Sequence, residues 1–174
     1  METLDQYKLQ FSGLKTGIHH LDYTITDAFF EATEFPDVQK GNLSVTVELD
    51  KQINMMIFQF HIEGEVELTC DRCLDVFPYS IDSDDQLIVK QVVEPTESDD
   101  EMLVYIDIKE HTFDFSHFLY EIISLALPIQ HIHPENDEGV SQCDPEMIKK
   151  IEAFSKPIQN SQWDALKNIN LDNN

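Results

Sequence analysis

The amino-acid sequence predicts an α+β domain, a curved, barrel-like antiparallel β-sheet covered by one main helix and followed by short C-terminal helices. Two observations support this prediction. The first half of the chain alternates apolar and polar residues with the period of half-buried strands. After residue 114, apolar residues recur at helical spacing instead. We place a single domain at residues 1–155, and a short helix with a frayed tail at 156–174.

Alternation defines the strands in order. They are predicted over residues 7–11, 17–25, 43–50, 58–70, 77–81, 87–93 and 103–108. The fourth keeps its parity across Gly64, where we expect a bend or bulge, and it places Cys70 at its far end on the apolar face. Ser83-Asp84-Asp85 predicts a turn, and residues 94–101 predict a solvated acidic loop.

Helical periodicity marks the elements that cover the sheet. A helix is predicted over residues 114–127, with Asp114 as its N-cap and Pro128 ending it. A second helix is predicted over residues 145–154, and a last short one over residues 161–168. The first of these completes the core.

The charge balance restricts the class of partner. The chain of 174 residues has 34 acidic and 11 basic residues, a formal net charge of −23, and no Lys or Arg between Lys109 and Lys149. Because binding to nucleic acid depends on cationic groups, direct RNA binding is disfavoured, and so is binding to anionic membranes. The field of such a protein attracts basic proteins, although acidity also serves solubility alone.

The sequence favours a cytoplasmic location. No apolar run approaches the length of a membrane span, and the first twenty residues lack the apolar core of a signal peptide. Three cysteines do not make a disulfide framework in a chain of this length. We therefore expect reduced thiols or metal ligands.

Cys70-Asp71-Arg72-Cys73 is the strongest local motif. Two thiols at this spacing can chelate one soft metal ion from a tight turn. A redox dithiol is a second interpretation, but it usually requires a helix N-terminus, and here both flanks are predicted strands. A pair of reduced thiols on a hairpin is the third.

His131, His133 and Cys143 offer the remaining ligands for such an ion. In an extended segment, side chains two positions apart point to the same side. The Cys70/Cys73 pair with His133 and Cys143 gives a Cys3His zinc site, and His131 in place of Cys143 gives Cys2His2. Either closed set would be structural.

Catalytic motifs are missing from the sequence. The five glycines form no phosphate-binding cluster, and there is no His-Glu-x-x-His and no Gly-x-Ser-x-Gly. We therefore expect a protein that is not an enzyme.

Two longer motifs resemble one known family. They are Gly64-x-Val66-x-Leu68-x-Cys70-Asp71-Arg72-Cys73-Leu74, and Ile106-Asp107-Ile108 leading into Tyr120-Glu121-Ile122-Ile123-Ser124-Leu125-Ala126-Leu127-Pro128. In this order they resemble the YceD family, described as large ribosomal RNA subunit accumulation proteins of bacteria and plastids, over roughly residues 5 to 155. His131-x-His133-Pro134 and Trp163-x-x-Leu166-Lys167 resemble a Bacteroidetes branch.

The resemblance implies a non-catalytic role in 23S rRNA accumulation or large-subunit assembly. His133 and Cys143 stand about where relatives place further ligands, whereas Asp137 and Ser141 occupy positions where thiols often occur. Combined with the charge, the resemblance points to a basic ribosomal protein or assembly factor as partner. The alternative is a zinc-stabilised interaction module with a regulatory role unrelated to ribosomes.

Overall fold

A computed structural model of the chain describes residues 4–100, 102–136 and 138–155. The elements in these residues are β1 (Lys8–Leu9), β2 (Gly17–Ile25), α1 (Asp27–Ala32), β3 (Gly41–Lys51), β4 (Met55–Thr69), β5 (Val76–Val92), β6 (Leu103–Asp107), β7 (Phe113–Asp114), α2 (Ser116–Ala126) and α3 (Pro145–Ser155). The fold is therefore mixed α+β, as the sequence predicts. The predicted helix at 161–168 and the whole tail from 156 to 174 lie outside the described residues.

The main sheet contains five strands in the order β2-β3-β4-β5-β6. Among the described residues it is an open sheet, so the predicted barrel-like closure is not confirmed. β1 pairs with β7 in a separate two-stranded sheet, which leaves no described strand to join β2 to β6. The sheet is also not wholly antiparallel, because β6 runs parallel to β5. The described residues 93–100 and 102 lie in the connection between these two strands, the acidic crossover, and β6 is only five residues long.

β5 is one strand of 17 residues, so the turn predicted at Ser83-Asp84-Asp85 is wrong. All three residues pair with β4, Ser83 opposite Ile62 and Asp85 opposite Phe60. The alternation of inward-facing and outward-facing side chains along β5 explains the error. The inward-facing positions run without interruption from Phe77 to Val89, and Ser83 and Asp85 simply occupy two of them with polar side chains.

β4 passes through Gly64 without an inserted residue, so the expected bulge does not form. Gly64 pairs with Leu43 on one side and Ile81 on the other. Its φ of +145° is open only to glycine, and a Cβ there would overlap with the backbone of Asn42 and Leu43. The glycine therefore permits the close approach of β3.

One hydrophobic cluster lies against the inner face of the sheet, and more than one helix covers it. The inward rows of β3 and β4 are buried, as alternation predicts. α2 buries Leu119, Ile122 and Ile123, while α1 buries Phe29 and Phe30. The prediction of a single main covering helix is thus incomplete, because six residues of α1 gave too short a periodic signal to be assigned this role.

The ends of the elements follow local chemistry. The N-cap residue of α2 is Phe115 and not Asp114 as predicted, because the helix begins one residue later; Asp114 still accepts a hydrogen bond from the backbone N–H of Ser116 (2.9 Å). Leu127 is extended (φ −77°, ψ 145°), as expected before Pro128. The strand predicted at 7–11 is reduced to β1 between two short 3₁₀ turns. No helix in the described part of the chain is long and apolar enough to cross a membrane.

Gly64→Ala should lower the free energy of unfolding by more than about 2 kcal/mol, because the new Cβ meets backbone atoms that cannot yield. Urea denaturation followed by circular dichroism measures the change. Gly13→Ala is the matched control, since no atom lies within 4 Å of its Cβ position. Equal losses in the two variants would contradict the steric argument.

Candidate metal centre

Four metal-ligating side chains converge at one end of the sheet: Cys70, Cys73, His133 and Cys143. Their ligand atoms all lie within 4.8 Å of one another. The Sγ atoms of Cys70 and Cys143 are 3.7 Å apart, and Nδ1 of His133 lies 3.4 Å from Sγ of Cys73 and 3.8 Å from Sγ of Cys143. The three cysteines are buried and His133 is half-buried.

These separations match a tetrahedral metal site. With the bond lengths zinc adopts, two thiolate sulfurs on one ion are about 3.8 Å apart, and a sulfur and an imidazole nitrogen about 3.6 Å apart. The observed pairs at 3.7, 3.4 and 3.8 Å lie close to those values. The donor set is therefore compatible with one metal ion.

Three separate segments supply the four side chains. Cys70 and Cys73 lie in the turn between β4 and β5, His133 in the loop after α2, and Cys143 just before α3. His133 is further held by Phe77, whose ring centroid lies 4.6 Å from that of the imidazole. The site thus joins the end of the sheet to both helices that follow it.

The turn that carries the two thiols is a tight backbone knuckle. The N–H of Cys70 donates to the carbonyl of Asp75 (2.9 Å), and the N–H of Leu74 donates to the carbonyl of Cys70 (2.9 Å). Leu74 adopts φ +66°, an uncommon value for a residue with a side chain. This geometry turns Cys73 back beside Cys70.

Backbone amides point at the sulfur of Cys70. Burial raises the pKa of this thiol, but hydrogen bonds from the backbone N–H groups of Cys73, Arg72 and His133, together with the His133 side chain, lower it to about 6. The site therefore favours a thiolate at this position.

The sulfur of Cys73 has the opposite tendency. Burial raises its pKa, and so do the neighbouring sulfurs of Cys70 and Cys143, whereas backbone N–H groups of Asp144 and Asp75 act against them. Ionisation of Cys70 and ionisation of Cys73 therefore oppose each other.

Asp71 fastens the knuckle to the loop that carries His133. Its backbone N–H donates to the carbonyl of His131 (2.7 Å), and its carboxylate accepts from the N–H of His131 (2.8 Å). His131, the alternative ligand considered from the sequence, is not in the four-residue group. It lines a surface groove with Pro36 and Asp37. Sequence reasoning missed Asp71, although an acidic residue between the two cysteines was a visible signal.

Asn136 organises the return of the chain towards Cys143. Its side-chain oxygen accepts from the N–H groups of Glu138 (3.1 Å) and Val140 (2.8 Å), and its own N–H donates to the carbonyl of Val140 (2.9 Å). No role for Asn136 is predicted from the sequence. An Asn that precedes Gly139 by three positions is a turn signal that was available.

The knuckle, α2 and the ligand loops fall within one continuous match to a family model. The model, described as "Large ribosomal RNA subunit accumulation protein YceD", matches residues 58–170, more than half of the chain. The chain belongs to the YceD family. No curated protein and no solved structure matches it. The match begins within β4, so β1 to β3 of this YceD-family chain lie before it.

Asp71→Ala should lower the free energy of unfolding of this YceD-family protein by about 1 kcal/mol, because it removes a charge-assisted hydrogen bond at the exposed edge of the knuckle. Asp75→Ala is the matched control. Asp75 is also exposed and contributes its backbone carbonyl, which the substitution retains. Denaturant titration compares the two, and an equal effect would show that Asp71 has no special role.

Proposed function

We propose that this chain is a non-catalytic, cytoplasmic ribosome-biogenesis factor that supports 23S rRNA accumulation and large-subunit assembly. The observation that carries the proposal is the family match over residues 58–170, whose description names accumulation of the large ribosomal RNA subunit rather than a reaction. The enclosed Cys3His group agrees with it, since it suits a structural role better than a catalytic one.

The partner we propose is a basic ribosomal protein or assembly factor. A net charge of −23 repels bare RNA and anionic lipid and attracts cationic protein surfaces. Ribosomal assembly requires many proteins that neutralise RNA phosphates, so a polyanionic protein has the chemistry to bind them before RNA does. The proposed role is thus carried out by binding.

The metal we propose is zinc, held by Cys70, Cys73, His133 and Cys143. Thiolate and imidazole are the ligands that structural zinc sites use, and the three separations given above suit tetrahedral coordination. Four protein ligands would leave no position for a reactive water. The ion would then stabilise the end of the sheet.

Electrostatics in the pocket support a cation there. Hydrogen bonds lower the pKa of the Cys70 thiol, and the neighbouring Cys70 sulfur helps to raise the pKa of Cys73. A divalent ion would remove that conflict, because metal binding displaces the remaining thiol protons.

The protein isolated from cells should contain about one zinc ion per chain, and His133→Ala should weaken zinc binding by more than about tenfold. Loss of a direct ligand should exceed the tenfold or greater cost of losing a group that only orients one. Competition with a chromogenic chelator measures the affinity. The matched control is His131→Ala, two positions away and outside the four-residue group. Stronger loss from His131→Ala would place the ligand at residue 131 instead.

Depletion of the protein in its native host should lower the ratio of 23S to 16S rRNA and the amount of mature large subunits. Quantitative RNA electrophoresis and sucrose gradients measure both. Restoring the wild-type chain should return both to normal. An unchanged ratio after complete depletion would refute the ribosomal role and leave the zinc-stabilised interaction module unrelated to ribosomes as the better assignment.

A further inference from the structure

The five-stranded sheet has one face that no described element covers. The helices place their apolar residues in the cluster on the inner face, so the opposite rows of β2 to β5 remain exposed to solvent. We call these rows the outer sheet face. Its acidic residues are Asp22, Glu48, Asp50, Glu63, Glu65, Glu67, Asp82 and Asp84.

Some of the charges on the outer sheet face repel one another and so lower the stability of the sheet. Glu63 of β4 lies directly opposite Asp82 of β5, and like charges in that position destabilise a sheet. Glu65 and Glu67 continue the row along β4, and Asp84 continues it along β5.

Few cations in the described residues compensate these carboxylates. His61 serves three of them: it bonds Asp84 (2.9 Å) and lies 3.8 Å from Glu63 and 4.0 Å from Asp82. Lys40 lies 3.6 Å from Glu67 at one border, and His20 of β2 lies 3.7 Å from Glu48. The side chains of Asp82 and Asp84 are still 82% and 83% exposed, so most of this charge is available to a partner.

The sheet also fixes the spacing of the carboxylates. Residues on the same face recur about every 7 Å along a strand, and neighbouring strands are about 4.8 Å apart. Alternate side chains of an extended polypeptide have the same 7 Å repeat. A segment with Lys or Arg at every second position would therefore meet Glu63, Glu65 and Glu67 in step.

We infer that the outer sheet face is the docking surface for an extended, Lys/Arg-rich segment of a protein partner. The inference rests on the proposed function and adds the surface and the form of the ligand. Charge complementarity selects a basic polypeptide over RNA or an anionic membrane, both of which this face repels. Exposed Ser80 offers a further hydrogen-bonding group between the charged rows.

The test compares two variants of the full chain with equal changes in net charge. The face variant is Glu63→Gln/Glu65→Gln/Asp82→Asn/Asp84→Asn. The control, in the acidic crossover, is Glu94→Gln/Glu97→Gln/Asp99→Asn/Asp100→Asn. The probe is a fluorescent twelve-residue peptide of alternating Lys and Ser, measured by anisotropy at about 150 mM salt, where long-range attraction is screened.

The face variant should bind the peptide about tenfold more weakly than wild type, and the crossover variant within about twofold. Equal weakening in both would overturn the inference, because net charge alone would explain binding. Tight binding of an rRNA fragment by the wild type would also overturn it. So would micromolar Mg²⁺ binding that only the face variant loses, since the face would then be a cation site.

Two further measurements separate the surface from the fold and from the ribosomal role. The face variant should melt at the same or a higher temperature than wild type, because the opposed charges are removed; a lower melting temperature would assign these residues to the fold instead. In depleted cells, rescue of 23S rRNA by the crossover variant but not by the face variant supports the inference. Rescue by both overturns the surface alone, whereas no effect of depletion refutes the ribosomal role and leaves the peptide result standing.

Discussion

The continuous antiparallel pairing of β4 with β5 is the constraint on which the other features depend. Met55 to Thr69 pair without interruption with Val76 to Lys90, so the connecting turn has little freedom. That turn is the cysteine knuckle. The same register sends apolar rows to the core and carboxylates to the opposite face. A slip of one residue would bury the acidic row and expose the core at once.

Sequence periodicity predicted the elements whose pattern is locally complete. Strands β2, β3 and β4 and helix α2 needed only alternation or helical spacing. Periodicity could not predict that β6 pairs in parallel with β5, because the path of the connecting segment decides which strand β6 pairs with and in which direction. The error at Ser83 to Asp85 arose because polar composition outweighed an intact parity. Whether the sheet closes likewise depends on the whole fold, and no short stretch of the sequence determines it.

The candidate metal ligands could be named from their chemistry, but the choice between the two histidines could not be made from the sequence. His131 and His133 lie two positions apart in the same segment, so the sequence favours neither of them as the ligand. The structure separates them through Asp71, whose bonds hold the backbone of His131 beside the knuckle while the His133 ring reaches the sulfurs. Such a distinction depends on a hydrogen bond between residues 60 positions apart. Side-chain type alone carries no information about it.

The separation of the ligands along the chain has a consequence for the order in which the site forms during synthesis. Cys70 and Cys73 leave the ribosome well before Cys143, which lies 73 positions after Cys70. Until Cys143 emerges, the nascent chain lacks the fourth member of the candidate ligand group. The four-residue group can therefore be complete only after α2 has been translated and the loop that follows α2 has folded back onto the knuckle. The complete group at the knuckle is thus a chemical sign that this part of the protein has been synthesised and folded.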